Sequence, residues 1–123
     1  MTQANKVLVV DDEASLVELC RIILENAGYE VRGAVSGREA LKSMQEDMPD
    51  VVLLDVMMPG MDGIQVCREI RTLYNPDTPF ILMYTADSRK ETLESSLEAG
   101  ANDLITKEIP IFELPAKINA YLH

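Results

Sequence analysis

Five side chains in this sequence carry groups of the kind used to move a phosphoryl group. They are the carboxylates of Asp11, Asp12 and Asp55, the hydroxyl of Thr85 and the ammonium of Lys107. Asp11 and Asp12 are adjacent, so their charges repel unless a cation lies between them. Mg²⁺ suits that place, because it takes oxygen ligands, keeps waters and commonly uses one or two carboxylates together with phosphate oxygens. The other reading of the pair makes Asp12 the N-cap of a following helix and leaves Asp11 exposed. Asp55 closes a strongly apolar run, where a carboxylate must be solvated, capped or bound to a cation. It can also attack phosphorus and form an acyl phosphate. Thr85 either caps the turn after it or donates its hydroxyl to a phosphoryl oxygen. Lys107 is either a solvated ammonium or a counter-charge that later meets a phosphoryl oxygen. Each residue alone has an ordinary structural explanation; the combination is far harder to assign to chance.

The elements that must position these groups alternate in type. Residues 6–11 (KVLVVD) are a short Val-rich run that reads as a buried strand. Leu16, Leu19, Cys20, Ile23 and Ala27 follow at helical spacing, ending at Gly28, a residue suited to stopping a helix. Residues 29–35 form a second, weaker strand. Ser36 and Glu39 make an S-x-x-E capping box for a helix with Ala40, Leu41 and Met44 on one face. Residues 50–55 (DVVLLD) are a third strand, Pro59, Gly60 and Gly63 break the chain into a loop, and Ile64, Cys67 and Ile70 mark a third helix. Residues 79–84 (PFILMY) are a fourth strand. Ser88 and Glu91 make a second capping box, before a helix with a thin apolar face of Leu93 and Leu97. Residues 103–106 are a fifth strand. Leu114, Ile118 and Tyr121 trace a last helix, which should begin near Ile111 or Phe112 because Pro115 is tolerated only in a first turn.

Strands alternating with helices imply an α/β fold, a parallel sheet covered on both faces. Right-handed crossovers restrict it to a doubly wound, three-layer α/β/α sandwich. Its functional crevice lies beyond the carboxyl ends of the strands. Asp11 and Asp12 follow the first strand, Asp55 the third, Thr85 the fourth and Lys107 the fifth, so all five groups converge on one rim.

The 123 residues suffice for one domain with a real core, and a net charge of −10 argues against unaided binding of nucleic acid. No apolar run approaches the length of a membrane span, and residues 1–5 are short and polar, unlike a signal peptide, so a cytoplasmic protein is expected. Cys20 and Cys67 fall at apolar helical positions and read as buried free thiols. The single histidine, His123, is the last residue, which leaves no His-based catalytic or metal site. Met57, Met58 and Met61 read as loop packing rather than a soft-metal surface.

Four segments resemble the receiver domain of bacterial response regulators, across about residues 5–122. VVDDE at 9–13 matches that family's acidic pair, LLDVMMPGMDG at 53–63 its phosphoacceptor segment, TA at 85–86 its switch hydroxyl and small neighbour, and GANDLITK at 100–107 its lysine segment. The resemblance implies a flavodoxin-like five-stranded parallel sheet in the order 2-1-3-4-5. It implies phosphorylation at Asp55, with Mg²⁺ held by Asp11, Asp12, Asp55 and the backbone carbonyl of Met57. Thr85 would turn inward to the phosphoryl group and Lys107 would pair with it. The donor would be a sensor histidine kinase or a His-phosphotransfer protein. The output would be a protein-binding surface, typically that of the fourth helix, fifth strand and fifth helix. Such a domain is a switch rather than an enzyme, catalysing only its own phosphorylation and dephosphorylation. The chain ends about where the last helix ends. The expectation is therefore one receiver domain over 1–123 with no output domain, either free-standing or cut from a longer regulator, and monomeric or weakly dimeric.

Two positions depart from the family pattern. Leu104 stands where an aromatic switch residue is usual, which weakens that rotamer switch. Glu108 stands where Pro usually follows the lysine, and a cis Lys107–Glu108 bond would cost about 2.5–4 kcal/mol, so a trans bond is expected. Met57 and Asp87 occupy positions that in this family tune the phosphoryl lifetime. A haloacid-dehalogenase-type phosphatase would need a second Asp where Met57 stands. A flavin-binding protein would need a hydroxyl- and Gly-rich loop where Asp11, Asp12 and Glu13 stand. A docking module that works without phosphorylation is the remaining alternative.

Overall fold

A computed structural model describes residues 5–122, so His123 lies outside the described residues. The strands are β1 (Lys6–Val10), β2 (Glu30–Ala34), β3 (Val51–Leu54), β4 (Phe80–Thr85) and β5 (Asp103–Thr106). The helices are α1 (Ala14–Asn26), α2 (Gly37–Glu46), α3 (Gly63–Leu73), α4 (Lys90–Glu98) and α5 (Leu114–Leu122), with a 3-10 turn (Ile111–Glu113) leading into α5. The sheet is parallel throughout, in the order β2-β1-β3-β4-β5. This is the flavodoxin-like doubly wound architecture that the alternation and the resemblance imply.

Strand side chains alternate between faces, which divides the core in two. Val7, Val9, Val51, Leu53, Leu82 and Tyr84 pack with α1 and α5 through Val17, Cys20, Leu24, Leu114 and Ile118. Leu8, Val10, Val52, Leu54, Ile81 and Met83 pack with α2 and α3 through Ala40, Met44, Val66, Cys67 and Ile70, and with Ala99 at the end of α4. Covering on both faces explains why the central strands read as continuous apolar runs rather than alternating ones.

Local signals set several boundaries. Ser36 Oγ accepts the Glu39 N–H at 3.2 Å and starts α2. Asp62 Oδ1 accepts the Gln65 N–H at 2.9 Å and starts α3. Helix α1 stops at Asn26, two residues before Gly28, whose φ of +100° suits a residue without Cβ. Pro115 lies in the first turn of α5.

Two expectations about helix faces need correcting. In α1 the buried residues are Val17, Cys20 and Leu24, while Leu19 is exposed and Leu16 only packs at the margin. This helix is apolar around most of its circumference, so spacing alone does not choose its inner side. In α4 the buried residues are Thr92 and Ser96, and Leu93 and Leu97 face outward. Ser88 does not cap α4. The N-cap position is Arg89, which makes no side-chain cap, and the Asp87 carboxylate accepts the Arg89 N–H at 3.1 Å instead.

Arg71 ties α3 to the beginnings of two strands. Its Nε donates to the Gly100 carbonyl at 2.9 Å, Nη1 to the Pro79 carbonyl at 2.7 Å and Nη2 to Asn102 Oδ1 at 3.0 Å. Asn102 Oδ1 also accepts the Ile81 N–H at 2.8 Å. This brace lies at the opposite end of β4 from Thr85.

Candidate acidic phosphoacceptor site

Asp11, Asp55 and Lys107 are each held by sheet hydrogen bonding carried one step past their strand. Asp11 N–H donates to Ala34 O, Asp55 N–H to Val10 O, and Lys107 N–H to Thr85 O, at 3.1, 3.0 and 2.8 Å. The backbone is therefore fixed where the side chains leave the sheet. Gly63 makes the close approach that seats the loop after β3: a Cβ there would lie 2.0 Å from the Asp55 carbonyl oxygen. Its N–H donates to Val56 O at 2.9 Å.

The acidic groups do meet. Carboxylate oxygens of Asp11, Asp12 and Asp55 lie within 4.8 Å of one another. Asp11 and Asp55 are buried and Asp12 is exposed. The capping reading of Asp12 does not hold, because the N-cap position of α1 is Glu13 and Asp11 is not exposed. Asp11 Oδ1 accepts the Glu13 N–H at 2.9 Å, and Asp55 Oδ1 accepts the Met57 N–H at 3.2 Å.

Lys107 bridges the other two oxygens. Its Nζ lies 2.7 Å from Asp11 Oδ2 and 3.2 Å from Asp55 Oδ2. It also sits 5.7 Å from the centroid of the Tyr84 ring, within cation–π range. Burial works against the Lys107 charge, but the hydrogen bond it donates to Asp11 and the attraction of both carboxylates outweigh it, so its pKa is raised. Burial is also the largest influence on Asp55 and raises its pKa. The Met57 amide and Lys107 pull it back, Asp11 pushes it further up, and the net shift is upward.

Three carboxylates against one ammonium leave a formal charge of −2 at the cluster. All the side-chain donors are oxygens, and an all-oxygen set with surplus negative charge fits a hard divalent cation such as Mg²⁺. The Asp55 charge is desolvated and only partly matched, which is why its pKa is raised.

Thr85 is fully buried at the end of β4, and its hydroxyl accepts the Asp87 N–H at 3.3 Å, so here it caps the following turn. Leu104 is half-buried on β5 and packs against the cluster that contains Met83 and Cys67. The Lys107–Glu108 bond is trans, as expected. The side chain of Met57 is 60% exposed, whereas Met58 is buried and Met61 packs on the core, so only two of the three methionines serve as loop packing. Cys20 and Cys67 are buried free thiols, and burial pushes both up to about 11, which leaves them un-ionised at neutral pH.

Three features of the site were not anticipated from the residues. The Asp62 cap had a readable signal, D-x-x-Q. The place of Tyr84 beside Lys107 had none, since it depends on how β4 and β5 pair. The direction of the Asp87 side chain also had none: its carboxylate turns toward α4, where Arg89 and then Thr92 hold it well below the usual carboxylate range. Next to the site, an open cleft of about 650 Å³ runs between the loop after β3 and the start of α4, with Met57, Pro59, Asp87 and Arg89 in its walls. No helix among the described residues is long and apolar enough to cross a membrane.

Comparison with known proteins agrees with this arrangement. The family model described as response regulator receiver domain matches residues 7–119. A putative response regulator from Chloroflexus aurantiacus is 37% identical, with 98% of each chain covered and a TM-score of 0.88. The chemotaxis response regulator CheY4 of Vibrio cholerae is 34% identical over 97% of this chain and 98% of its own, with a TM-score of 0.87. The BeF3-activated N-terminal receiver domain of RstA from Klebsiella pneumoniae is 31% identical over 97% and 99%, with a TM-score of 0.85. With its parallel 2-1-3-4-5 sheet, its acidic cluster at the strand ends and a family match over nearly its whole length, this chain belongs to the response regulator receiver domains of two-component signalling.

Proposed function

We propose that this receiver domain accepts a phosphoryl group on Asp55 in a Mg²⁺-dependent reaction and thereby switches a protein-binding surface. The observation that carries the reading is the placement of Lys107 Nζ against both Asp11 and Asp55, residues 96 and 52 positions away in the chain. An ammonium held beside a nucleophilic carboxylate supports the reading, because it could neutralise the charge that develops on a transferring phosphoryl group.

The donor is a phosphohistidine of a sensor kinase or His-phosphotransfer protein. An Asp55 carboxylate oxygen attacks phosphorus, the P–N bond breaks with its electron pair going to the imidazole, and an acyl phosphate forms. Asp11, Asp12 and the Met57 carbonyl, with Asp55, would hold Mg²⁺, whose charge neutralises phosphoryl oxygens when it is bound. Lys107 pairs with a phosphoryl oxygen once Asp55 is no longer its full counter-charge. Thr85 leaves the Asp87 amide and donates its hydroxyl to another. The domain is a switch and not a metabolic enzyme. It works in the cytoplasm as one receiver domain, monomeric or weakly dimeric, and passes its state to a protein target or an output domain.

The test is intact mass after incubation with Mg²⁺ and a small acyl phosphate donor, on wild type and Asp55→Asn. A gain of one phosphoryl group in the wild type alone, abolished by chelator, is the expected result. Absence of any adduct, together with no beryllofluoride binding by folded protein, would leave the phosphorylation-independent docking module.

A further inference from the structure

Asp87 makes two kinds of contact that point in opposite directions. Its backbone N–H donates to Thr85 Oγ1 at 3.3 Å. Its carboxylate turns away from the acidic cluster and binds the start of α4. Thr92 Oγ1 donates to Oδ2 at 2.7 Å, Arg89 Nη2 to Oδ2 at 2.7 Å, and Arg89 Nε to Oδ1 at 2.9 Å. The Asp87 side chain is 8% exposed although Arg89 is 71% exposed, so the carboxylate is enclosed while its charge partner lies in solvent.

Apart from Ala99 at its C-terminal end, which packs in the core, helix α4 has little else to hold it. Its buried face is Thr92 and Ser96, and Ser96 Oγ finds no hydrogen-bond partner among the described residues. Leu93 and Leu97 point outward and add no core contact. A helix that buries hydroxyls and exposes leucines gains little from the hydrophobic effect, so a polar tie at its first turn carries an unusual share of its anchoring.

We propose that Asp87 is a positioning residue that relays the state of Thr85 to helix α4, acting through its carboxylate on Thr92 and Arg89 rather than on the phosphoryl group. This rests on the phosphoacceptor reading of Asp55. The 3.3 Å bond between Thr85 and the Asp87 amide is already long. A move of the Thr85 side chain to another staggered rotamer breaks it unless the loop follows. When the loop follows, the carboxylate draws the first turn of α4 with it through two short bonds. Leu104, which has no polar group and packs into the core, offers no such link.

The test is hydrogen exchange of the amides of residues 92–98 with and without beryllofluoride and Mg²⁺, on the wild type, Asp87→Ala and Thr92→Val. Beryllofluoride affinity is measured alongside. In the wild type, beryllofluoride should change exchange in α4 at least threefold. In both variants exchange should be raised at least threefold before any addition. The beryllofluoride-induced change should fall to less than half of the wild-type one, with affinity within about threefold of wild type. Variants that respond like the wild type would overturn the relay while leaving the acceptor site intact. So would a wild type that binds beryllofluoride with no change in α4. Loss of beryllofluoride binding by Thr92→Val would overturn it too, by making these groups part of the acceptor site itself. Failure of the wild type to bind beryllofluoride would remove the acceptor reading and the relay with it.

Discussion

Helices α3 and α4 lie side by side on the same face of the sheet and are held in opposite ways. Helix α3 starts on the Asp62 cap, buries Val66, Cys67 and Ile70, and is braced by Arg71 to the beginnings of β4 and β5. Helix α4 has no side-chain cap at its N-cap residue, buries Thr92 and Ser96, and shows its leucines to solvent. The loop after Asp55 leads into α3, and the loop after Thr85 leads into α4. One side of the crevice is therefore a fixed support, and the other is an element that little apolar burial resists moving. Local stability of this uneven kind is what a two-state surface needs.

The contrast can be broken by substitution. Ile70→Ala on α3 should cost about 2–5 kcal/mol, because it opens a cavity in a fully buried layer, whereas Leu97→Ala on α4 should stay within about 0.5 kcal/mol. Denaturant unfolding of the two variants checks this, and a comparable loss at Leu97 would mean that α4 is anchored by its leucines after all. Arg71→Lys should cost about 1–3 kcal/mol, since one ammonium cannot serve Gly100, Pro79 and Asn102 together. Wild-type stability in that variant would reduce the brace to a surface contact.

Smaller effects sharpen the comparison at the helix starts. Asp62→Ala should cost about 0.5–2 kcal/mol as a lost cap, and Ser88→Ala should change stability by less than about 0.5 kcal/mol. Thermal melts of the pair decide it, and equal losses would restore Ser88 as a cap. Ser96→Ala should raise stability by up to about 1 kcal/mol, because it removes a buried hydroxyl without a partner. A clear loss instead would show that this hydroxyl is satisfied.

The strands were legible because a parallel sheet buried on both faces demands short Val- and Leu-rich runs, and β5 follows the expected 103–106 bounds. The capping box at Ser36 was legible because it is a contact within four residues. The same pattern at Ser88 misled, since α4 starts one residue later: Arg89 is the N-cap residue, and its N–H is bonded to Asp87, which Arg89 and Thr92 fix. The inner face of α1 and the inverted face of α4 were not legible, because a helix face is chosen by what lies across from it.

The sequence by itself determined the alternation of elements, the strand ends at which Asp11, Asp12, Asp55, Thr85 and Lys107 stand, and the membership of the chain in the receiver family. These depend on residue type and spacing along the chain. Only the tertiary structure decided that Lys107 bridges Asp11 and Asp55, that Asp11 is buried while Asp12 is not, that Thr85 rests on the Asp87 amide, and that Asp87 faces α4 instead of the acidic cluster. Those arrangements are contacts between side chains brought together by sheet pairing and helix packing. Their energies depend on burial and partner distance, which no local pattern specifies.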